Sequence, residues 1–306
     1  MKIVFFGTGK FSATVLKGLV DNGYNVVAVV SQPDKVNGRN NKIIFSDIKK
    51  YCLEQNIKIF QFEKLNKEGE AELKAINPDI FVTASYGQII RQNILDIPKY
   101  GTINVHASLL PKYRGPAPIQ WAIMNGEKKT GVTIMKTDAG LDTGDIYFSK
   151  EIDITETDTS SSVFEKLANL GIDCLKEFFE KFDYYKNNHT KQNEEEATYF
   201  PMFKKEDFAL SFNNSAINIC NKIKALENCF FIYNGMRFKV LYATVVERNG
   251  KAGEIIACNS KEGLIIACEA NAIKVEIIQP EGKQKMEAKA YMNSNKFTLG
   301  DIIENF

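Results

Sequence analysis

Short apolar runs alternate with amphipathic segments along the first half of the chain. The runs at 2–6, 25–30, 80–84 and 102–105 are rich in Val, Ile and Phe and predict buried strands. Between the first two runs, the apolar residues of 11–21 recur with the spacing of a helix. Further elements are expected at 45–55 (helix), 130–136 and 145–154 (strands) and 160–182 (helix). This alternation predicts an α/β first domain with a doubly wound, mainly parallel sheet.

The pattern changes at residues 184–198, YYKNNHTKQNEEEAT, a polar stretch without periodicity that is typical of a linker. After it, a helix is expected at 215–226, and short strands separated by turns are expected at 236–247, 253–258, 263–269 and 272–279. Closely spaced strands punctuated by glycine predict a small β-barrel of the OB type. The expected division is a first domain at 1–184, a linker at 185–203 and a smaller second domain at 204–306.

Composition agrees with a two-domain globular protein. A chain of 306 residues suits two domains, and 44% hydrophobic with 25% charged residues is ordinary. The first apolar run ends at Gly7, which is too short for a signal peptide or a membrane span, so we expect a cytosolic protein without membrane contact. A net charge of +1 does not by itself indicate a nucleic-acid partner, which would have to be bound by local basic patches.

Cysteine and histidine content argues against a metal site. The six cysteines form no CxxC pair and lie mostly in apolar segments, so we interpret them as buried, reduced thiols. Only two histidines are present, and we therefore predict no metal.

The turn Gly7-Thr8-Gly9 after the first strand resembles part of a dinucleotide-binding fingerprint. The full fingerprint needs a third glycine where this chain has Ser12, and an acidic residue at the end of the second strand. That strand runs instead into Ser31-Gln32-Pro33. We predict no NAD, and we interpret the glycines as a tight turn that packs a helix on the sheet.

Candidate chemistry begins with Asn104 and His106, two residues apart at the end of an apolar strand. Residues at this spacing point to the same face of a strand, and carboxyl ends of strands in open α/β sheets bind ligands. An amide and an imidazole there could hold one carbonyl oxygen between them. An isolated Asn-x-His, however, is more often a strand-end histidine with satisfied hydrogen bonds.

The flanking loops favour the functional interpretation. Ser108-Leu109-Leu110-Pro111 is followed by RGPAP at 114–118, in which proline restricts and glycine frees the backbone. Downstream, Gly140-Leu141-Asp142-Thr143-Gly144 places one carboxylate between two glycines. By itself such an aspartate more often makes a local turn hydrogen bond.

Together, INVHASLLPKYRGPAPI and GVTIMKTDAGLDTGDI resemble the catalytic core of the 10-formyltetrahydrofolate-dependent formyltransferases. The resemblance extends to IVFFGTGKFSA, QPDKVNGRNNK and SYGQII and spans nearly the whole chain, with departures at Gly9, Lys10, Asn40 and around Cys229. It implies a Rossmann-like formyltransferase domain followed by an OB-like domain. The length and the β-rich tail favour the members that formylate initiator methionyl-tRNA for translation initiation.

The resemblance also implies roles for individual residues. Asn104 and His106 would donate hydrogen bonds to the oxyanion of a tetrahedral intermediate. Asp142 would favour the imidazolium of His106 and order a water that carries a proton from the attacking amine to the folate nitrogen. The folate co-substrate, 10-formyltetrahydrofolate, would be bound by Ser85, Tyr86, Gly87, Gln88, Ile89, Ser108, Leu109, Leu110, Pro111, Gly140 and Leu141.

A basic loop at 34–42 is the expected contact with the tRNA acceptor stem, although a charge cluster alone is usually only a solvated loop. The tRNA-binding residues implied by the resemblance are Lys35, Arg39, Lys42, Lys204, Lys205, Lys283 and Lys285. The alternatives are a sugar-nucleotide N-formyltransferase, a formyltetrahydrofolate hydrolase and a catalytically silent RNA-binding protein. We expect a monomer.

Overall fold

The computed structural model describes residues 1–37, 42–294 and 297–304. The chain divides into two compact units. The first unit comprises Met1–Pro118, Lys129–Asp153 and Ser162–Pro201, and the second comprises Ile119–Lys128, Ile154–Ser161 and Met202–Phe306. Two short segments from the middle of the chain, Ile119–Lys128 and Ile154–Ser161, belong to the second unit. The sequence did not predict this. The boundaries proposed at 184/185 and 203/204 stay predictions.

The first unit is built on a seven-stranded sheet with a separate short hairpin. Its strands are β1 (Ile3–Gly7), β2 (Val26–Ser31), β3 (Lys35–Asn37), β4 (Lys42–Ile44), β5 (Ile59–Gln61), β6 (Ile80–Ala84), β7 (Thr102–His106), β8 (Lys129–Lys136) and β9 (Ile146–Asp153). The sheet order is β5-β2-β1-β6-β7-β8-β9, and β3 pairs with β4 alone. The first five strands in this order, β5, β2, β1, β6 and β7, are parallel to one another. Strands β8 and β9 are antiparallel to their neighbours. The central strands are buried on both faces, which explains their unbroken apolar sequences.

Helices connect the strands, and their starts follow local capping chemistry. They are α1 (Lys10–Asp21), α2 (Asp47–Glu54), α3 (Leu65–Glu68), α4 (Glu70–Ile76), α5 (Gln92–Leu95), α6 (Pro118–Met124), α7 (Ser160–Glu180), α8 (Phe182–Tyr185), α9 (Ala216–Leu226) and α10 (Ala288–Tyr291), with 3-10 turns at Glu194–Glu196, Lys205–Phe208 and Met292–Ser294. The Ser46 hydroxyl accepts from the Lys49 amide, so α2 begins later than the expected residue 45. Ser215 caps α9 in the same way.

The second unit contains an antiparallel sheet around an aromatic core. Its strands are β10 (Phe230–Tyr233), β11 (Met236–Val246), β12 (Ile255–Asn259), β13 (Gly263–Ala267), β14 (Ala272–Pro280) and β15 (Met286–Glu287). They are ordered β10-β11-β14-β13-β12, and β15 pairs with β14. The rings of Phe212, Phe231, Phe238 and Phe297 are buried and pack against one another. The core of the second unit is therefore formed by apolar and aromatic side chains.

The predicted fold class is confirmed: a Rossmann-like domain is followed by an OB-like β domain whose strands form a half-barrel. The strands that the sequence did not indicate are the short ones, β3, β4, β5, β10 and β15. Strands of two to four residues carry too few side chains to establish a period, and β5 is only partly buried. Within the described residues, no helix is long and apolar enough to span a bilayer.

Candidate functional site

Strand β7 places Asn104 and His106 at the carboxyl edge of the sheet, between β6 and β8. Thr83 of β6 lies in register with Asn104, and its hydroxyl donates to Asn104 Oδ1 at 3.0 Å. This bond leaves the Nδ2 group as the donor of the amide, and no described residue accepts from it. Sheet register therefore orients Asn104 with its N–H groups available to a ligand.

The imidazole of His106 is almost fully buried, and each of its ring nitrogens faces an oxygen acceptor. Nε2 lies 3.1 Å from the carbonyl oxygen of Tyr113, and Nδ1 lies 3.6 Å from Asp142 Oδ1. A carbonyl only accepts, so Nε2 carries a proton in this arrangement. The 3.6 Å separation is longer than a hydrogen bond, which leaves Nδ1 beside the carboxylate and open to a third group.

Asp142 is held from two sides in a left-handed backbone conformation, with φ of +54°. Its Oδ2 accepts from the Gly115 amide at 2.9 Å, which directs Oδ1 toward His106. Asp138, which lies just before the loop Gly140–Gly144, accepts from the Thr143 hydroxyl at 2.8 Å and so links the two ends of this turn. The structure thus brings His106 and Asp142 together, and Asn104 lies two residues before His106 on the same strand.

The loop that follows β7 is held by hydrogen bonds among its own polar atoms and to β8. The Ser108 hydroxyl donates to the Lys112 carbonyl at 2.8 Å, and the Thr133 hydroxyl of β8 donates to the Ser108 carbonyl at 2.7 Å. The Leu110 amide also reaches Thr133, at 3.2 Å. The Ser108 side chain is therefore used inside the loop. Leu109 and Pro111 keep part of their surface accessible.

In the loop at 85–90, the polar side chain of Gln88 is used inside the protein, whereas Ser85 and Ile89 are exposed. Gln88 bonds to the amide of Leu65 and the carbonyl of Phe62, and Tyr86 is buried. Ile89 by contrast is 76% exposed. Leu141, on the Gly140–Gly144 loop, is also exposed. Sequence reasoning could not separate the roles of Tyr86, Gln88 and Ile89, because all three lie within one motif.

An open cavity of about 890 Å³ lies beside this loop, within the first unit. It is bounded by the ends of β1, β2 and β6 and by the start of α2. Its lining combines apolar, neutral polar, acidic and basic side chains and consists of Thr8, Gly9, Gln32, Pro33, Asp34, Ile44, Phe45, Ser46, Asp47, Lys50, Ser85, Tyr86 and Gly87. The Gly-Thr-Gly turn is part of its wall. Ser12, at the position of the missing third glycine, donates to the Ala84 carbonyl at 2.5 Å and ties that turn to β6.

The basic residues proposed for tRNA contact are only partly described. Arg39 lies outside the described residues, and Lys35 and Lys42 lie on the β3–β4 hairpin, where only the backbone is described. The four lysines of the second unit that were proposed for tRNA contact are exposed, and they are Lys204, Lys205, Lys283 and Lys285. Lys283 lies over the ring of Tyr291, with its Nζ 5.3 Å from the ring centre.

Sequence reasoning missed two residues that bond to the site loops, Arg114 and Gln192. Arg114 stood in the RGPAP motif without a role, and Gln192 lay in the stretch interpreted as a linker. Neither the motif nor the polar composition signals a contact between residues 78 positions apart. Thr83 and Thr133 were also not identified, because a threonine in a strand is ordinary.

The remaining candidates for chemistry are the cysteines and metal-binding clusters. All six cysteines are free and five are buried, and burial raises the pKa of Cys52 to about 11. Such thiols are poor nucleophiles near neutral pH. Among residues 1–37, 42–294 and 297–304 there is no group of three or more His, Cys, Asp or Glu side chains arranged to hold a metal ion.

Comparisons with known proteins cover almost the whole chain. Residues 1–178 match the family model described as formyl transferase, and residues 202–296 match the formyl transferase C-terminal domain. A methionyl-tRNA formyltransferase of Caldanaerobacter subterraneus subsp. tengcongensis is 44% identical, covering 99% of this chain and 100% of its own length. One from Malacoplasma penetrans is 42% identical over 96% of this chain and 93% of its own.

A solved structure supports the fold. It is that of WlaRD, a sugar 3N-formyl transferase crystallised in the presence of dTDP and 5-N-formyl-THF. It superposes with a TM-score of 0.64 at 22% identity and covers 93% of this chain and 99% of that chain. At this identity the likeness concerns the fold alone.

Proposed function

Because the chain belongs to the formyltransferase family, we propose that it transfers a formyl group from 10-formyltetrahydrofolate to the amino group of initiator methionyl-tRNA. The observation that carries this proposal is the approach of the Asp142 carboxylate to the His106 imidazole, at the end of the strand that also carries the Asn104 amide. The family relation supplies the folate donor. The relatives named for methionyl-tRNA, which match over nearly the full length, favour that acceptor.

Asn104 and His106 stabilise the charge that develops on the formyl oxygen. When the amine attacks the formyl carbon, its carbonyl oxygen becomes an oxyanion, and donors already aimed at it need no reorganisation. The Asn104 Nδ2 group is left available by the bond from Thr83, and His106 Nδ1 lies 3.6 Å from the Asp142 carboxylate, open to a further group. In the proposed mechanism both nitrogens donate to the oxyanion.

Asp142 directs the proton that must leave the amine. A new C–N bond forms at the acceptor nitrogen, the bond from the formyl carbon to folate N10 breaks, and one proton moves from the first nitrogen to the second. With Oδ2 held by the Gly115 amide, Oδ1 remains to position His106 and a water between the two nitrogens. No strong base is needed, because a terminal amine has a pKa near ~7.7–8.0 and is partly neutral at pH 7.

The exposed apolar side chains of Ile89 and Leu141 flank the flat pterin ring of the folate. Apolar surface that is left exposed on two loops of the predicted folate set is suited to such a ring. Backbone groups of the loop at 85–90 then read the polar edge of the pterin, because the Gln88 side chain is already bonded within the protein. Ser108–Pro111 lines the folate side with Leu109 and Pro111.

The cavity beside Ser85–Gly87 receives the methionyl end of the acceptor. Phe45 and Ile44 supply apolar surface for the methionine side chain, and the two aspartates at the wall, Asp34 and Asp47, are paired with Lys49 and Lys50. Arg39 and the lysines of the hairpin and the second unit contact the tRNA backbone. The same proposal places the enzyme in the cytosol, where initiator tRNA is charged, as a monomer.

The test is an acceptor assay with the purified protein. Incubation with 10-formyltetrahydrofolate and methionyl-tRNA should yield formylmethionyl-tRNA, while nucleotide-linked amino sugars should remain unformylated under the same conditions. Formylation of an amino sugar in preference to the tRNA would overturn the proposed acceptor. Release of formate without any acceptor would indicate a hydrolase.

A further inference from the structure

The stretch at 189–200, here called the clasp, is bound to both loops that carry the proposed site. Thr190 and Ile146 exchange two backbone hydrogen bonds of 2.8 Å, directly after the Gly140–Gly144 loop. At the other end, the Arg114 amide donates to the Thr198 carbonyl at 2.9 Å, and the Phe200 amide donates to the Arg114 carbonyl at 3.0 Å. The clasp therefore lies along the first unit as ordered structure, although its composition indicated a linker.

Gln192 uses its whole amide to join the two loops. Its Nε2 donates to the carbonyls of Asp142 and Gly144, at 2.8 and 2.7 Å. Its Oε1 accepts from Arg114 Nε and Nη2, at 3.0 and 2.8 Å. Carbonyls only accept and a guanidinium only donates, so chemistry allows just one orientation of this amide. A glutamine is well suited here, because it combines two donors and an acceptor in one plane.

Arg114 is fully buried and gives the clasp its rigid end. Besides Gln192, the guanidinium donates to both carboxylate oxygens of Glu194, at 2.8 and 2.9 Å, and to the Tyr199 hydroxyl. A bidentate charged pair of this kind fixes geometry as well as adding energy. The residue after Arg114 is Gly115, whose amide holds the Asp142 carboxylate. The backbone and the side chain of Asp142 are thus both restrained from the Arg114 side.

Asp142 needs such restraint because of its backbone. A φ of +54° carries a cost for a residue with a side chain, smaller for Asp and Asn than for other types, and such conformations persist when surrounding contacts impose them. Gln192 holds the Asp142 carbonyl, and Gly115 holds its carboxylate. If the carbonyl were released, the loop could relax and carry Oδ1 away from His106.

We propose that Gln192 is a positioning residue for formyl transfer, which holds the Asp142 carboxylate toward His106 through the Asp142 and Gly144 carbonyls. This inference rests on the proposed function, in which Asp142 is catalytic. Gln192 itself touches no reacting atom in this scheme. Its effect on turnover should therefore disappear when the Asp142 carboxylate is absent.

The experiment is a double-mutant cycle between Gln192 and Asp142 in the full-length protein. Gln192→Leu keeps the approximate volume and removes every hydrogen bond. Gln192→Glu keeps an acceptor for Arg114 but replaces the two donors with a carboxylate oxygen that repels the Asp142 and Gly144 carbonyls, so it tests the same point if the leucine variant does not fold. Gln55→Leu, an exposed glutamine after α2, is the matched control.

We expect Gln192→Leu and Gln192→Glu to lower kcat roughly ten- to hundred-fold, with KM for folate and for methionyl-tRNA changed by less than about threefold. In an Asp142→Asn background the same substitutions should change kcat by less than about twofold. Gln55→Leu should leave kcat unchanged.

Equal loss of kcat from the Gln192 substitutions in both backgrounds would overturn the inference and indicate general damage to the fold. So would a wild-type kcat for both Gln192 variants alongside an impaired Asp142→Asn. If Asp142→Asn itself turns over normally, the proposed catalytic role of Asp142 fails first, and the inference fails with it. The cycle therefore separates the two failures.

Discussion

The two units differ in what they bury. In the first unit, His106, Ser108, Arg114 and Thr133 are buried close to the carboxyl edge of the sheet, and each has a hydrogen-bond partner. In the second unit, the described buried polar residues are Asp158, Ser160 and Asn221, and none of them lies on a strand. Its sheet instead covers the packed phenylalanine rings.

The comparison shows where preorganised chemistry can exist. Burial of a polar group carries a desolvation cost unless the group is bonded, so a buried polar network constrains every member. In the first unit, buried and hydrogen-bonded polar groups form such a network around His106 and Asp142. The second unit is stabilised by apolar packing, and it can act on a partner only through exposed side chains such as its lysines. Substitutions in the buried network of the first unit should therefore impair chemistry, and substitutions of the exposed lysines in the second unit should impair partner binding.

The largest effect is expected at the proposed catalytic set. Asn104→Ala and His106→Ala should each lower kcat by about 10²–10³, since loss of one oxyanion donor typically costs ~2.7–4 kcal/mol. Asp142→Asn should be impaired at least to the same order, because it keeps the shape and removes the charge. Single-turnover formyl transfer measures this, with circular dichroism to confirm folding. Normal turnover in any one folded variant would remove that residue from the set.

A smaller effect is expected from the basic loop. Arg39→Ala should weaken transfer to methionyl-tRNA by about 1–3 kcal/mol, because the substitution removes a cationic group that binds the nucleic acid. The affinity for a folate analogue should not change. Lys67→Ala, an exposed residue on α3, serves as the control. Equal loss of folate binding and transfer would mean that the substitution damages the unit rather than tRNA binding.

The lysines of the second unit should act additively and weakly. Replacing Lys204, Lys205, Lys283 and Lys285 with glutamine should flatten the dependence of tRNA binding on salt, by about 0.9 in the log–log slope for each phosphate that is no longer neutralised. Transfer rates at several salt concentrations measure the slope. An unchanged slope would show that these lysines do not face the tRNA.

The smallest effect concerns stability in the first unit, away from the site. Hydrogen bonds from Lys150, Lys181 and Tyr185 lower the pKa of Glu177 from 4.5 to about 2. A lowered pKa stabilises the fold above the unfolded value, and this contribution is lost as pH falls through the folded value. Glu177→Gln should therefore cost about 1 kcal/mol at pH 7, after allowance for solvent screening of the partly exposed pair.

Urea unfolding at a series of pH values tests this. The difference between wild type and Glu177→Gln should shrink as pH falls from about 4.5 toward 2. Glu165→Gln, an exposed glutamate on the same helix, should show no such trend. A difference that is constant with pH would attribute the loss to packing instead of charge.

Much of this protein could be predicted from local sequence. Apolar strands such as Ile80–Ala84, the long helix at 160–180 and the turns of the second unit follow from periodicity, because side-chain direction repeats regularly along strands and helices. The Asn104 and His106 pair was visible for the same reason, since a spacing of two on a strand places both on one face. Asp142 could be assigned to the same catalytic set as Asn104 and His106 only through the resemblance to a known family.

Only the tertiary structure decided how the site is held. Gln192 and Arg114 are 78 positions apart, and a glutamine in a polar stretch has no feature that distinguishes it from a solvated one. The inward bonding of Gln88, the exposure of Ile89 and the cavity beside Ser85 also depend on which chain segments become neighbours. Sequence period reports which way a side chain points within its own element. Contacts between distant loops depend on sheet order and register, and these arise only when the whole chain packs.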